Sequence, residues 1–467
     1  MIGYSLPRTM AETRSGSGTA ADRNVVILSA DSLRYDRAID PEVMPYLSAL
    51  AEEGLAFTDA VSNAGFTPGS FPSMMASRYP SSIDGVGIPE ASGVTTLAEE
   101  LSGEGYDCAV WSDNKFVGAD YNYDRGYEAG RGYEDNVRDR VREHLDEDGA
   151  LFEALEFGYM HVWQRLKNAV TESHYYDPAG TLNDSAREWL AERDPERDSV
   201  HLWLHYMDTH HPYEPPTAWL PDGLETVDDR TDADNLTRRV CRLDGEDCTD
   251  AEIRDAVRLY DAECRYLDDR IEAFVDDLRR EGWLTEEDLL VVTSDHGEIL
   301  SEYDTWGEFG HGNYFCEACT RVPLVFVGAG LGGSVDEQVS LVDLVPTILD
   351  ACSVEPTAPE LLMGESMLSP DRPGETVLYD GTLDYYGARG TDHKRFNDET
   401  VGEATYRDTV YDGYDERIVD GDDEHDTLAE FVDDSLQRCE SLAADAEAID
   451  PDSLQVEQHM RDLGYLE

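Results

Sequence analysis

Lysine is nearly absent from this chain of 467 residues. There are three, Lys115, Lys167 and Lys394, and every other basic residue is arginine. The 36 basic residues face 102 acidic ones, which gives a net charge of -66. Such a field repels nucleic acid and anionic membrane surfaces, so both are excluded as partners. The acid is spread along the chain between well-formed apolar runs, which excludes intrinsic disorder and points to a protein made for high salt. Long hydrophobic runs are missing too. No stretch of about 18 apolar residues exists, so no membrane span is expected. The Ser/Thr/Gly/Arg-rich residues 1–22 lack a hydrophobic segment and read as a loose tail, not a signal peptide. Cys316 and Cys319 have CxxC spacing, but no second such pair accompanies them, which argues against a zinc ribbon and for reduced, mostly buried thiols. A cytoplasmic location follows.

What is present alternates between short apolar runs and amphipathic stretches. Val25–Leu28, 105–111, 199–207, 288–294 and 321–328 read as strands, several of them β-branched and continuous enough to be buried on both faces. Helices are expected over 43–57, 73–77, 95–101, 151–170, 183–192 and 342–350. The clearest helix carries Ile253, Val257, Tyr260, Cys264, Leu267, Ile271, Phe274 and Leu278 as one stripe, ended by Gly282. Alternation of strand and helix gives an α/β fold with a large, mostly parallel sheet sandwiched by helices. Residues 217–250 read as an acidic surface insertion. From about residue 353 the pattern changes to short strand-like pieces and two helices (426–446 and 452–463), a smaller C-terminal α+β subdomain with an antiparallel sheet. The expected organisation is therefore a tail (1–22), a catalytic α/β domain (23–352) and a subdomain (353–467).

Chemistry-bearing residues fall just past the strand ends, where open α/β sheets place ligands. Asp31 follows the first strand, Asp208, His210 and His211 follow another, and Asp295 and His296 follow a third. A helix N-cap is the structural alternative for Asp31. Thr67 lies in Asn63–Ser73, a Gly/Pro-rich loop, and because Pro72 suits a first helical turn the helix behind it is expected to start near Ser70 or Phe71. That puts the Thr67 hydroxyl just ahead of a helix N-terminus, a position favourable to an anion. Asp31, Thr67, Asp295 and His296 together make a set suited to a divalent cation such as Mn²⁺, Mg²⁺, Ca²⁺ or Zn²⁺. A metal there would activate the Thr67 hydroxyl as a nucleophile and offset charge on a phosphoryl or sulfuryl oxygen. Lys115, His210 and His311 would supply further cationic or proton-donating groups to that anion. Ser70 is the rival nucleophile, and Asp208 a further candidate ligand.

These segments, in this order, resemble the sulfatases within the alkaline phosphatase superfamily. The matching stretches are Ile27–Arg34, Thr67–Ser70 with Tyr79–Pro80, Thr96–Glu99 with Gly105–Tyr106, Met207–Tyr213, Thr293–Glu298, Gly310–Gly312, Arg321–Leu324, Val342–Thr347 and Leu463–Leu466. The resemblance implies an alkaline phosphatase-like fold, metal ligation by Asp31, Asp295 and His296, nucleophilic attack by Thr67, and anion contacts from Lys115 and His210. It also marks departures. Formylglycine-bearing sulfatases start from Cys or Ser in C-x-P-S-R and carry two adjacent aspartates in the first motif. Here Thr67 takes the nucleophile position, Phe71 replaces the arginine and Ser32 the second aspartate. Threonine cannot become formylglycine. The pattern is closer to members that act on phosphate esters or transfer phospho-groups through phosphothreonine. Members with two zinc ions need further ligands, for which Asp208, His210 and His311 are available. The expectation is a metal-dependent hydrolase of a sulfate, phosphate or phosphonate ester, its substrate an anionic small molecule or glycan. Two alternatives stand beside it: a phosphoglycol or polyol transferase acting on a glycan or lipid, and a catalytically silent binding protein.

Overall fold

The computed structural model describes residues 23–83, 87–89, 93–131, 175–242, 245, 247–302, 309–312, 314–369, 376–381, 385–397 and 406–442. The expected tail (1–22), the helices expected over 151–170 and 452–463, and the Leu463–Leu466 stretch lie outside them.

The sixteen strands assigned among these residues are β1 Val25–Ala30, β2 Leu55–Val61, β3 Asp107–Ser112, β4 Ala129–Arg131, β5 Val200–Tyr206, β6 Leu289–Ser294, β7 Ile299–Leu300, β8 Phe309–Gly310, β9 Arg321–Gly328, β10 Gly333–Val335, β11 Val339–Ser340, β12 Val377–Asp380, β13 Tyr386–Arg389, β14 His393–Asn397, β15 Tyr406–Asp412 and β16 Asp415–Ile418. The helices are α1 Tyr35–Ala38, α2 Pro45–Glu53, α3 Thr67–Ala76, α4 Leu97–Gly103, α5 Ala179–Leu190, α6 Arg230–Arg242, α7 Asp250–Glu281, α8 Glu317–Thr320, α9 Leu344–Cys352 and α10 Asp423–Leu442.

The main sheet has the order β10-β2-β9-β6-β1-β5-β3-β4, with β11 beside β2. It is parallel except for β9, which runs antiparallel to both β2 and β6. Alternate residues of β1 enter opposite cores. Val25 and Ile27 pack on one face, with α3, α4 and α9, and Val26 and Leu28 on the other, with α2, α5 and α7. Both faces are covered, which is why these strands are continuously apolar. The long helix α7 lies on the second face. A capping box between Thr249 and Glu252 starts it, and Gly282 at φ 87° ends it in the left-handed conformation glycine tolerates. Tyr260, Cys264, Leu267, Ile271, Phe274 and Leu278 of the expected stripe are buried, whereas Ile253 and Val257 are only half-buried.

Three expectations need correction. The helix expected over 43–57 ends at Glu53, and Leu55–Val61 continue as β2, because Gly54 breaks the helix with an extended backbone. The 217–250 stretch is not merely a surface excursion. It contains α6, whose Ala233, Leu236 and Val240 are buried in the core beside α7. The helix after the Thr67 loop begins at Thr67 itself, and Pro72 sits inside it.

C-terminal strands β12–β16 form a five-stranded antiparallel meander. Its join to the main body is charged and centred on buried groups. Glu317, at the start of α8, is 0% exposed and accepts Nε and Nη2 of Arg389, each at 2.9 Å. Lys394 Nζ lies 2.8 Å from the same carboxylate and also donates to Phe315 O and Glu416 Oε2. Arg389 reaches on to Asp59 of β2.

Candidate active site

The parallel register sets the site. β1 lies between β5 and β6, with Ala30 beside both Tyr206 and Ser294. Asp31, Met207 and Asp295 therefore leave the same sheet edge side by side. β3 ends beside β5, Ser112 next to His205, and delivers Asn114 two residues later. β2 ends at Val61 and feeds the loop to Thr67. Gly65 in that loop passes so close to the 310–314 segment that a Cβ would meet Tyr314 O at 2.5 Å and Gly312 O at 2.7 Å.

Thr67 is the meeting point and is 0% exposed. Its Oγ1 lies 2.9 Å from Asp295 Oδ2 and 3.1 Å from Asp31 Oδ2. His296 Nε2 is 3.5 Å away. His296 Nδ1 sits 2.8 Å from Gly297 O, so it carries the proton and leaves the Nε2 lone pair facing the carboxylates. Asp31, Asp295 and His296 each bring a ligand atom within 4.8 Å of the others. The donor set fits a divalent ion on electrostatic grounds as well. Burial and then the neighbouring Asp31 push Asp295 well above the usual carboxylate range. At Asp31 burial is outweighed by His210, His205 and His296, and its carboxyl is held well below that range. Two buried carboxylates facing one hydroxyl are the arrangement a cation relieves.

The helix N-terminus differs from expectation. Pro68 has no N–H, and the N–H groups of Gly69 and Ser70 both donate to Phe66 O, at 3.2 and 3.1 Å. The first turn of α3 thus presents its dipole rather than a fan of open donors. Ser70 Oγ donates to Thr67 O at 3.3 Å, which ties it to the helix backbone. Phe71, which replaces the arginine of the family motif, is 0% exposed and packs edge-on to His205 at 4.9 Å between ring centroids.

Three further residues, not among the candidates named above, support this centre. Asn114 Nδ2 donates to Asp31 Oδ2 at 2.8 Å and to Thr67 Oγ1 at 3.3 Å. His205 continues a chain of contacts: Trp203 Nε1 donates to Ser29 Oγ at 2.8 Å, Ser29 Oγ lies 2.9 Å from His205 Nδ1, and His205 Nε2 lies 3.4 Å from Asp31 Oδ2. Glu298, 0% exposed, holds His311 Nδ1 at 3.0 Å with one oxygen and has His211 Nδ1 3.7 Å from the other. Burial opposes ionisation of Glu298, but His311 and His211 prevail and hold its carboxyl below the usual range.

His210 and His311 flank the centre, with ring centroids 4.9 Å apart and the His311 ring 4.6 Å from that of His296. One ring nitrogen each of His210, His211 and His311 also lie within 4.8 Å of one another. His210 Nδ1 donates to His211 O at 2.6 Å. Burial, against the pull of Asp31, lowers His210 to about 3. Lys115 is exposed, beside the buried Asn114. Asp208 faces away from Thr67. Its Oδ1 accepts the N–H of Ala179 at 3.1 Å, at the start of α5.

The Sulfatase family profile matches residues 23–354. A choline-sulfatase of Rhizobium meliloti is 24% identical over 368 residues, 72% of this chain and 69% of that protein. The low-salt glycan biosynthesis sulfotransferase Agl7 of Haloferax volcanii is 26% identical over 348 residues, 73% of this chain and 63% of that protein, so the match spans less than two thirds of Agl7. Among solved structures, the phosphonate monoester hydrolase of Silicibacter pomeroyi superposes with a TM-score of 0.62 at 19% identity, covering 91% of this chain and 96% of the other.

Proposed function

The chain belongs to the Sulfatase family, and we propose that it is a sulfuric or phosphoric ester hydrolase of the alkaline phosphatase superfamily whose nucleophile is Thr67 Oγ1. The observation that carries this reading is the position of that oxygen, 2.9 and 3.1 Å from two buried carboxylates and 3.5 Å from His296 Nε2. Asp31, Asp295 and His296 would hold a divalent ion beside the hydroxyl, which when bound lowers the hydroxyl pKa and supplies positive charge to the ester.

Asp295 Oδ2 is within reach of the Thr67 proton. Asn114 fixes the hydroxyl's orientation from the other side. Attack forms an Oγ1–S or Oγ1–P bond and breaks the bond to the alcohol oxygen. The departing alkoxide takes a proton from His311, whose Nδ1 is anchored on Glu298 so that Nε2 can carry the second proton. His210 faces the anion with Lys115 at the rim. Water, deprotonated by the same imidazole, then releases the Thr67 ester.

Cys108, Cys264, Cys316, Cys319, Cys352 and Cys439 are buried free thiols, which supports a reducing, cytoplasmic setting, and the charge of -66 supports a high-salt one. The test is a panel of aryl sulfates, phosphate mono- and diesters and phosphonate monoesters, assayed in high salt with Mn²⁺, Mg²⁺, Ca²⁺ or Zn²⁺. Failure on every ester with every metal overturns the proposal. The similarity to Agl7 favours a second reading, group transfer to a glycan. Release of free sulfate or phosphate with water as sole acceptor excludes it.

A further inference from the structure

Arg34 closes the first of the motif stretches and is 3% exposed. Helix α7 fixes its backbone: the Tyr260 hydroxyl accepts the Arg34 N–H at 3.0 Å and donates to Ser32 O at 2.8 Å. The guanidinium is shared between two segments. Nε and Nη2 donate to the two carboxylate oxygens of Asp36, at 2.9 and 3.0 Å. Nη1 donates to Glu298 O at 3.0 Å and to the Glu302 carboxylate. The turn that follows His296 is therefore stapled at Glu298 and again at Glu302. The stem packs on the same turn, since a Cβ on Gly297 would lie 3.5 Å from Arg34 Cγ. The ring of Tyr414 lies 5.0 Å from Arg34 Cζ, and the Tyr414 hydroxyl accepts the Asp36 N–H at 3.1 Å. Tyr414 belongs to the turn between β15 and β16, so through it the C-terminal sheet reaches the first motif.

We propose that Arg34 is a positioning residue for proton delivery to the departing alcohol, and that Tyr414 of the C-terminal sheet clamps it. One Glu298 oxygen holds His311 Nδ1 at 3.0 Å, and the place of that carboxylate is set by its own carbonyl on Arg34. Loosening Arg34 lets Glu298 turn, and His311 loses the orientation that aims its other nitrogen at the leaving oxygen. The metal set is held without Arg34. Asp31 and Asp295 directly follow β1 and β6, and Gly297, whose carbonyl faces His296 Nδ1, donates its N–H to Cys319 O at 2.7 Å. The inference rests on the reading of His311 as the proton donor.

The test compares kcat/KM for phenyl and dinitrophenyl esters of phosphate, sulfate and methylphosphonate, in high salt with whichever of Mn²⁺, Mg²⁺, Ca²⁺ and Zn²⁺ gives the fastest turnover. That quantity reads the step that expels the alcohol. Dinitrophenolate departs without a proton, whereas phenolate needs one. His311→Gln should lose roughly 100-fold or more on the phenyl ester and little on the dinitrophenyl ester. Arg34→Lys should show the same pattern at roughly 10- to 100-fold, because one ammonium cannot span Asp36, Glu298 O and Glu302 together. Its affinity for the ion, by calorimetry, should equal the parent's. Tyr414→Leu should repeat the pattern more weakly. Arg395→Lys, which alters a pair with Asp408 on the same C-terminal sheet, should match the parent on both esters. A loss in Arg34→Lys that is equal on the two esters, or absent, overturns the proposal and leaves His311 its role. An equal loss on both esters in His311→Gln, or no turnover by the parent, overturns the underlying reading and this inference with it. If Arg34→Lys fails to fold, Tyr414→Leu decides by the same comparison.

Discussion

Glu317→Gln removes the central charge from a network that also holds Arg389, Lys394, Asp59 and Glu416, and leaves the shape almost unchanged. In the parent, Glu317 accepts two bonds from Arg389 and one contact from Lys394, all at 2.8–2.9 Å and with no solvent exposure of the carboxylate. Burial opposes its ionisation, but Arg389 and then Lys394 overcome this and lower its pKa from 4.5 to about 2. That gap corresponds to on the order of 3 kcal/mol. Breaking a buried pair by removing one partner costs about 3–5 kcal/mol, so the two routes agree. Because the folded-state pKa is depressed, this stability is present above about pH 4.5 and is lost as pH falls through about 2. The assay is denaturant unfolding at pH 7 and constant high salt, read by tryptophan fluorescence. The variant should lose about 3 kcal/mol, and the loss should shrink by roughly 0.5–3 kcal/mol in a Lys394→Met background, where one of the two cationic partners of Glu317 is already gone. A loss below about 1 kcal/mol, or one independent of Lys394, would refute the reasoning that this network pins the C-terminal sheet to β2 and α8.

Asn114→Ala removes the donor shared by Asp31 and Thr67, and should lower kcat/KM roughly 10- to 100-fold while metal content by elemental analysis stays unchanged. Asp380 is 1% exposed, its carboxylate bonded only to Ser81 among the contacts described, and burial raises it to about 7. Its charged form therefore destabilises the fold progressively as pH rises from about 4 through 7. Asp380→Asn should be stabilising at pH 8, up to on the order of 4 kcal/mol, and near neutral at pH 4, as followed by paired melting curves. Chelation should lower the melting temperature by roughly 2–4 °C at saturating initial metal, because Asp31 and Asp295 then face each other unscreened, and one equivalent of divalent ion should restore it.

The placing of Asp31, Asp295 and His296 was readable from the chain because each follows a continuous apolar run, and such runs end at one sheet edge in a parallel fold. The α7 stripe was readable for a similar reason, since its period and both caps agree. The start of α3 was not. Pro72 argues for a first turn by local rule, yet here Thr67, Pro68 and the Phe66 carbonyl form that turn and the proline lies deeper. Helix α6 was hidden by its acidic, arginine-rich exposed side, with only Ala233, Leu236, Thr237 and Val240 fully buried. Asn114 and His205 carry no pattern of their own, and Glu298 ends the Thr293–Glu298 motif without its role being legible there. They act through partners tens to hundreds of residues away, which only the sheet register brings near. Asp208 shows the converse. It sits two residues before His210 in a tight loop, and the loop turns the two side chains to opposite sides.

Whether Thr67 forms the covalent intermediate can be read directly by quenching the enzyme with acid during turnover of an aryl phosphate or aryl sulfate and mapping the modified peptide by mass spectrometry. The account predicts a phosphoryl or sulfuryl increment on Thr67, absent from Thr67→Ala, which should lose at least about 10⁴-fold in turnover while keeping its metal. An increment on Ser70, or unimpaired turnover by Thr67→Ala, would contradict it.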